Sequence, residues 1–311
     1  MNKLVFDIGA SNIKYAVMTE NGEILSRSSY PTPRDSFDNY FDTLEKIAND
    51  NKSGVDAIAM STNGRMRVDG DTYRAYTADF LIGVNLREEM EKRTELPVSV
   101  ENDGFSSAIG EWWKGAGRGS KNMLAIVLGS GMGGGLILNG KSYRGSKLNS
   151  AMVFCMISSS DIDMAKYRAS GVETAFLMLL YMVSMGKQMN IAEVTGQKVF
   201  EWAAAGDEIC LGALEKYYRA VAVTIFNSAA LLDLDCVVIT GGLAGQAMVI
   251  EGIKRNLEDI AAKLFQIEGV DTSALGVALD GNDIRFDVRA GELTADANLY
   301  GALYKSLNGV G

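Results

Sequence analysis

The chain predicts an α/β fold in two domains, on three observations. Its 311 residues suffice for two ordinary domains, and 47% hydrophobic content supplies a core to each. Segments of strand-like alternation give way repeatedly to helical patterns. Each half also opens on a strand, a glycine-bearing loop and a hairpin, the echo that a duplicated domain leaves.

The elements follow in order. Residues 3–7, 13–19 and 23–30 alternate as strands, with Asn21-Gly22 as a hairpin turn. A polar helical stretch covers 35–51, and a strand covers 55–60. A helix over 86–94 precedes a strand at 97–101, which delivers Asp103 to its end; 103–114 then reads as helix. Gly115-Ala116-Gly117-Arg118-Gly119 is the best break, giving domains 1–117 and 118–291. The second half starts with a strand at 122–128, the loop 129–135, a strand at 136–138 and an Asn139-Gly140 turn. Leu211, Leu214, Tyr218, Val221, Ile225, Ala229 and Leu232 recur at three- and four-residue steps, marking one long amphipathic helix. It feeds a buried strand at 236–240 that runs into Gly241-Gly242. A last helix over 293–307 is expected to pack back on the first half, so that 292–311 joins the N-terminal domain.

Composition narrows the function. A net charge of −9 argues against general nucleic-acid affinity, because phosphate contacts need Lys and Arg. It says nothing against one local nucleotide site. Asp7 interrupts the start before any signal-peptide apolar core forms, and the longest apolar stretch, 172–185, is too short to span a bilayer. That stretch reads as a buried helix, and no membrane partner is expected. Cys155, Cys210 and Cys236 show no paired spacing, which points to a reduced, cytoplasmic setting. There is no histidine, which removes Ser-His and Cys-His nucleophile pairs and every His-based metal site.

Four segments carry chemistry. In Asp7-Ile8-Gly9-Ala10-Ser11-Asn12, a strand ending in an acid and a tight turn can bring backbone N–H groups and a hydroxyl to a phosphate. The acid would orient metal-bound water. An ordinary hairpin accounts for the same residues. The loop from Gly129 to Gly135 is more specific, because its glycines allow close backbone approach to an anion. It lacks the Lys-Ser/Thr ending of a P-loop, which excludes an ordinary P-loop triphosphatase. Asp103 could accept a proton from an attacking hydroxyl, with Asn102 fixing the acceptor and Glu101 behind them. It is equally suited to cap a helix. Gly241-Gly242 could let adenine and ribose approach the backbone, or form only a tight strand-to-helix turn.

Taken in order, these motifs make the chain resemble the ROK family (repressors, open reading frames and sugar kinases) of the actin-like ATPase superfamily. Asp7-Ile8-Gly9-Ala10-Ser11 stands where the family has Asp-Ile-Gly-Gly-Thr. Glu101-Asn102-Asp103, followed by Gly110-Glu111, resembles its catalytic-base segment, and 129–135 its second phosphate loop. Ile239-Thr240-Gly241-Gly242 is similar to the adenosine motif, and 296–302 to the closing helix. The resemblance implies two actin-like (RNase H-like) domains with an interdomain cleft that holds ATP and Mg²⁺. It implies phosphorylation of the 6-hydroxyl of a hexose or hexosamine, with Asp103 as base. Ser61 and Gly64 match its Ser-x-x-Gly sugar-side loop, alongside Asn102. The nucleotide side would be Asp7, Gly9, Ala10, Ser11, Asn12 and Lys14, with Gly129, Ser130, Gly131, Gly133, Gly134, Gly241 and Gly242. Asp7 would hold Mg²⁺ through water, and a homodimer is implied.

The departures are equally specific. The family follows the second phosphate loop with Gly-Glu-x-Gly-His; here Met152 stands for that Glu and Cys155 for that His. The cysteine-rich zinc loop is absent, so no zinc site is expected, as in members similar to β-glucoside kinases and N-acetylmannosamine kinases. The trailing sugar-binding Glu falls on Lys166. Losing a carboxylate that accepts two sugar hydroxyls costs on the order of 1–3 kcal/mol in acceptor binding if nothing replaces it. Asp161 or Asp163 are candidate replacements, and a Met152-lined pocket would suit an aryl or alkyl glycoside. Two readings therefore stand: an ATP-dependent kinase of a hexose, N-acetylhexosamine or β-glucoside, or a non-catalytic relative that binds nucleotide or metabolite and senses it. A first strand this close to the start argues against a helix-turn-helix repressor.

Overall fold

Two five-stranded sheets of the same strand order organise the protein. The computed structural model describes residues 1–66, 72–74, 78–129, 131–156, 176–263 and 286–309. In chain order the first half runs β1 (Asn2–Ile8), β2 (Asn12–Thr19), β3 (Ile24–Pro31), α1 (Phe37–Asp50), β4 (Val55–Thr62), β5 (Arg65–Met66), β6 (Thr72–Arg74), α2 (Leu86–Thr94), β7 (Val98–Asn102) and α3 (Asp103–Trp113). The second runs β8 (Met123–Leu128), β9 (Met132–Leu138), β10 (Lys141–Ser142), α4 (Phe176–Lys187), α5 (Gly196–Ala204), α6 (Glu208–Leu232), β11 (Cys236–Thr240), α7 (Ala247–Lys263), β12 (Asp287–Ala290) and α8 (Ala297–Asn308). The sheets are ordered β3-β2-β1-β4-β7 and β10-β9-β8-β11-β12, and β5-β6 is a small ribbon. In the first sheet β1 pairs antiparallel with β2 and parallel with β4, which pairs parallel with β7.

The period of two in β1 explains its position. Leu4, Phe6 and Ile8 enter a core with Tyr40, Phe41 and Leu44 of α1 and Leu86 and Met90 of α2. Val5 enters the opposite core, with Ala16, Met18 and Ala59 beneath Leu299, Ala302 and Leu303 of α8. A strand covered on both faces reads as a continuous apolar run, which 4–8 very nearly is. Ser36 and Asn85 accept backbone N–H bonds that start α1 and α2. α3 and α8 cross at very short range because Gly110 and Gly301 leave room for backbone; a Cβ on Gly301 would lie 1.8 Å from the Ser106 carbonyl oxygen.

Two compact units result: Met1–Ala125 with Gly134–Ala151 and Gly291–Gly311, and Ile126–Gly133 with Met152–Ala290. The division differs from a single break at 117/118 because 134–151 packs into the first unit. A Cβ on Gly135 would sit 2.5 Å from Ala108 Cβ, and one on Gly104 would sit 2.6 Å from the Gly134 carbonyl oxygen. Residues Gly291–Gly311 cluster with the first unit, with helix starting at Ala297 after a 3₁₀ turn over Thr294–Asp296. In the second unit the face of α6 bearing Leu214, Tyr218, Val221, Ile225 and Ala229 is buried, and Gly252 of α7 lies against the Tyr218 ring.

Two sequence expectations are corrected. The loop at 129–135 is mostly strand: β9 begins at Met132, so among the described residues only Gly129 and Gly131 lie outside strand. The glycines at 134 and 135 serve close backbone packing, which leaves the same mark in sequence as a flexible loop. The apolar stretch 172–185, described from Phe176, is not a buried helix: Leu179, Val183 and Ser184 of α4 are buried, while Leu177, Tyr181 and Met185 are exposed. No helix among the described residues is long and apolar enough to cross a membrane.

Candidate active site

The first unit gathers its acids at the ends of β1 and β7. Register places Asp7 beside Ser61 of β4, and Ser61 beside Glu101 of β7. Asp7 is buried; its Oδ1 accepts from Asn298 Nδ2 at 2.9 Å, and Lys14 Nζ lies 3.4 Å from its Oδ2. Lys14 also donates to the Ala295 carbonyl at 3.3 Å, so the start of α8 and strand β2 both hold this carboxylate. Burial raises the Asp7 pKa, Asn298 and Lys14 pull it down, and Asp296 pushes it up again.

The β1–β2 turn is tied down from inside. Gly9 N–H donates to the Asn12 carbonyl at 3.0 Å, Thr32 Oγ1 donates to the Gly9 carbonyl at 2.8 Å, and Thr32 N–H donates to the Ser11 carbonyl at 3.0 Å. Gly9 N–H is therefore occupied in the turn, while Ala10, Ser11 and Asn12 are exposed at its tip.

Asp103 occupies the first position of α3, and the cap is Asn102. Asn102 Oδ1 accepts from the backbone N–H groups of Gly104 at 2.9 Å and Phe105 at 3.3 Å. Its Nδ2 donates to the Gly64 carbonyl at 2.8 Å and to Asp103 Oδ1 at 2.9 Å. Asn102 is thus satisfied within the protein, and its observed work is to orient Asp103. Gly104 N–H also donates to Asp103 Oδ1 at 2.8 Å. Burial pushes the Asp103 carboxyl up to about 6, with the negative charge of Asp7 adding to the rise. The side chain is half-buried, so a proton can still reach it. Ser61 is fully buried, and Gly64 is buried with its carbonyl on Asn102. Gly64 thus supports the base segment through its carbonyl, while Ser61 pairs with Glu101 by strand register and its Oγ has no hydrogen-bond partner among the described residues.

The second unit presents glycine backbone. Gly129 N–H donates to the Gly131 carbonyl at 2.9 Å, and Gly131 is exposed. Gly133 lies in β9 with the Val127 side chain as its nearest neighbour. Ser130 falls outside the described residues. Gly241 has φ +90°, and a Cβ there would meet the Leu128 carbonyl oxygen at 2.5 Å. Its glycine is demanded by the turn and by β8. Gly242 has open space around it. Met152 is half-buried, and Cys155 is an exposed free thiol at the end of the 3₁₀ turn Val153–Cys155. Asp161, Asp163 and Lys166 lie outside the described residues.

Sequence reasoning missed how Glu101 and Glu111 are used. Glu101 is 1% exposed; its Oε1 accepts the Asn102 N–H at 2.6 Å, and its Oε2 pairs with Arg144 and with Lys305 at 3.4 Å. Glu111 is fully buried and accepts the backbone N–H groups of Ala116, Glu292 and Leu293, pinning the chain that leads into α8. Their partners lie far away in sequence, so no local pattern announces them.

No group of three or more His, Cys, Asp and Glu residues converges among the described residues to ligate a metal directly. The charge of Asp7 nevertheless raises the cost of ionising Asp103, which favours a cation held nearby. Both Asp7 oxygens already have protein donors, which fits a cation met through water, the habit of Mg²⁺.

The ROK family's sequence model matches residues 4–152 and 173–279. The chain belongs to the ROK family. Among its relatives, a glucokinase from Halalkalibacterium halodurans is 29% identical, over 89% of this chain and 90% of that one. A β-glucoside kinase from Listeria monocytogenes is 25% identical, over 86% and 92%. A ROK family protein from Streptococcus pneumoniae, solved in complex with sucrose, superimposes with a TM-score of 0.83 at 25% identity, covering 99% of this chain and 98% of that one. The two mixed sheets and their helices are the actin-like two-domain fold of ROK proteins.

Proposed function

We propose that this ROK protein is an ATP-dependent kinase that phosphorylates a hydroxyl of a hexose, N-acetylhexosamine or β-glucoside, with Asp103 as general base. The observation that carries the proposal is Asp103 itself. It is a half-buried carboxylate, oriented by Asn102 and Gly104 and tuned to about 6, near the pH at which it would work. The glucokinase and β-glucoside kinase relatives, each matched over most of its length, support the reaction class.

In the mechanism, the ionised Asp103 takes the proton of the acceptor hydroxyl as that oxygen bonds to the γ-phosphorus of ATP, and the bond to the β,γ-bridging oxygen breaks to release ADP. Asn102 holds the carboxylate toward the acceptor, and Glu101 holds Asn102 through its backbone N–H. Asp7, positioned by Asn298 and Lys14, would hold Mg²⁺ through water; the cation supplies neutralisation of charge on the phosphates. In the first unit the exposed tip at Ala10 and Ser11 would offer backbone N–H groups to phosphate; in the second, exposed Gly131 would do the same and Gly242 would admit the nucleoside.

The test is a coupled ATP-consumption screen over hexoses, hexosamines, N-acetylmannosamine and β-glucosides, wild type against Asp103→Asn. A sugar-dependent rate abolished by the substitution supports the kinase. Tight ATP binding with no rate on any sugar would overturn it in favour of a nucleotide- or metabolite-binding sensor. One observation favours that second reading: the half-buried Met152, which offers a sugar no charge-assisted hydrogen bond.

A further inference from the structure

A cavity of about 230 Å³ in the first unit lies beside α8 and is lined by Glu101, Lys141, Ser142, Arg144 and Lys305, with Trp112 as an aromatic wall. Among the described residues its charge does not balance. Three cations line it against one carboxylate, and Glu101 must serve both Arg144 and Lys305. The Arg144 and Lys305 side chains are only 14% and 12% exposed, so water screens their excess charge poorly. Lys141 is exposed at the margin and has no acid partner among the described residues. Ser142 Oγ is inaccessible and has no hydrogen-bond partner among the described residues. The last carbonyls of α8 oppose an anion by roughly half a charge, which leaves the cations in excess.

We propose that this cavity binds a small phosphate dianion, either free or as the phosphoryl group of a small metabolite. The dianion would complete the pairing of Arg144 and Lys305, take Lys141 as its outer partner, and accept from Ser142 Oγ. The protonation behaviour agrees. Burial lowers Arg144 to about 10, and burial together with the neighbouring cations Arg144 and Arg87 lowers Lys305 to about 7. Lys305 faces Glu101 and the Val100 carbonyl from β7, Arg144 and Lys141 from β10 and its following loop, and Arg87 from α2. A bound dianion raises its pKa again, so binding near neutral pH takes up a proton. Because Glu101 also holds Asn102, occupancy lies one hydrogen bond from the segment that carries Asp103.

The experiment is calorimetric titration of the nucleotide-free protein with sulfate, a dianion that does not titrate near neutrality, and with inorganic phosphate. It is run in two buffers of different ionisation enthalpy, with chloride at matched ionic strength. Saturable binding of both dianions is expected, weakened about tenfold in Lys141→Gln, with net proton uptake read on sulfate because phosphate itself releases protons as its dianion binds. Lys305→Met should remove the proton uptake, and Asp103→Asn should change neither quantity. Binding that is absent, or equal in wild type and Lys141→Gln, overturns the proposal; Lys141 is exposed, so that variant decides even if Lys305→Met does not fold. Titration with glucose 6-phosphate separates the sources. Tighter binding than inorganic phosphate with the same Lys141 dependence identifies a phosphorylated metabolite, and weaker binding identifies free phosphate.

Discussion

The two sheets share a strand order but end differently. In the first, the strand ends carry side-chain chemistry: Asp7 on β1, Ser61 and Thr62 on β4, Asn102 and then Asp103 after β7. In the second, β8, β11 and β12 each pass directly into glycine, at Gly129, Gly241 and Gly291. Carboxylates titrate and backbone amides do not. Protonation effects should therefore map to the first sheet and steric effects to the second, although the framework is the same.

The largest expected effect is that of Asp103→Asn. Turnover should fall roughly 10²- to 10⁴-fold while nucleotide affinity stays within error, measured by ADP production and by equilibrium binding. A comparable loss of nucleotide binding would break the assignment of the proton step to the first sheet alone. Next comes pH. With its carboxyl at about 6, Asp103 is protonated and inactive as a base below that value, so kcat/KM should rise through it to a plateau. The acid limb should lose about tenfold per pH unit. A flat profile down to the ordinary carboxylate range contradicts the tuning.

Steric effects follow. Gly241→Ala, which forces a Cβ against Leu128 at positive φ, should cost about 1–3 kcal/mol and lower the thermal midpoint by several degrees. Gly242→Ala should leave stability within about 0.5 kcal/mol and raise the KM for ATP instead. If both glycines behave alike in thermal unfolding, their separate roles collapse. The smallest change is expected for Asn298→Ala. Loss of one hydrogen bond to Asp7 should raise the Mg²⁺ concentration for half-maximal rate roughly two- to tenfold, read from a metal titration at saturating ATP.

Much of this was legible before folding. Alternation located the first three strands of the first sheet, its other two were read at 55–60 and 97–101, and three- and four-residue steps located α6. The order of the acid and glycine motifs pointed to the family. Glycine was the ambiguous letter. At Gly241 it reports a turn, but at Gly134 and Gly135 it reports contact with α3, and the sequence spells both alike. Asp103 and Asn102 compete for one helix start, and only geometry assigns the cap to Asn102. The partners of Glu101, Arg144 and Lys305, lie 43 and 204 residues away in sequence, and ion pairs at such separations carry no periodicity to read.

The clasp between Asp7 and Asn298 spans 291 residues. At ribosomal rates of roughly 5–20 residues per second, that distance takes about 15–60 s to synthesise. Throughout that interval the face of β1 and β4 that carries Val5 and Ala59 has no Leu299, Ala302 or Leu303 to cover it. The nascent N-terminal sheet therefore waits half-clothed for its last helix, and Asp7 gains its Asn298 partner only as translation ends. Slow codons late in the message, or truncation before α8, should hand this protein to chaperones and proteases sooner than comparable damage in the middle of the chain.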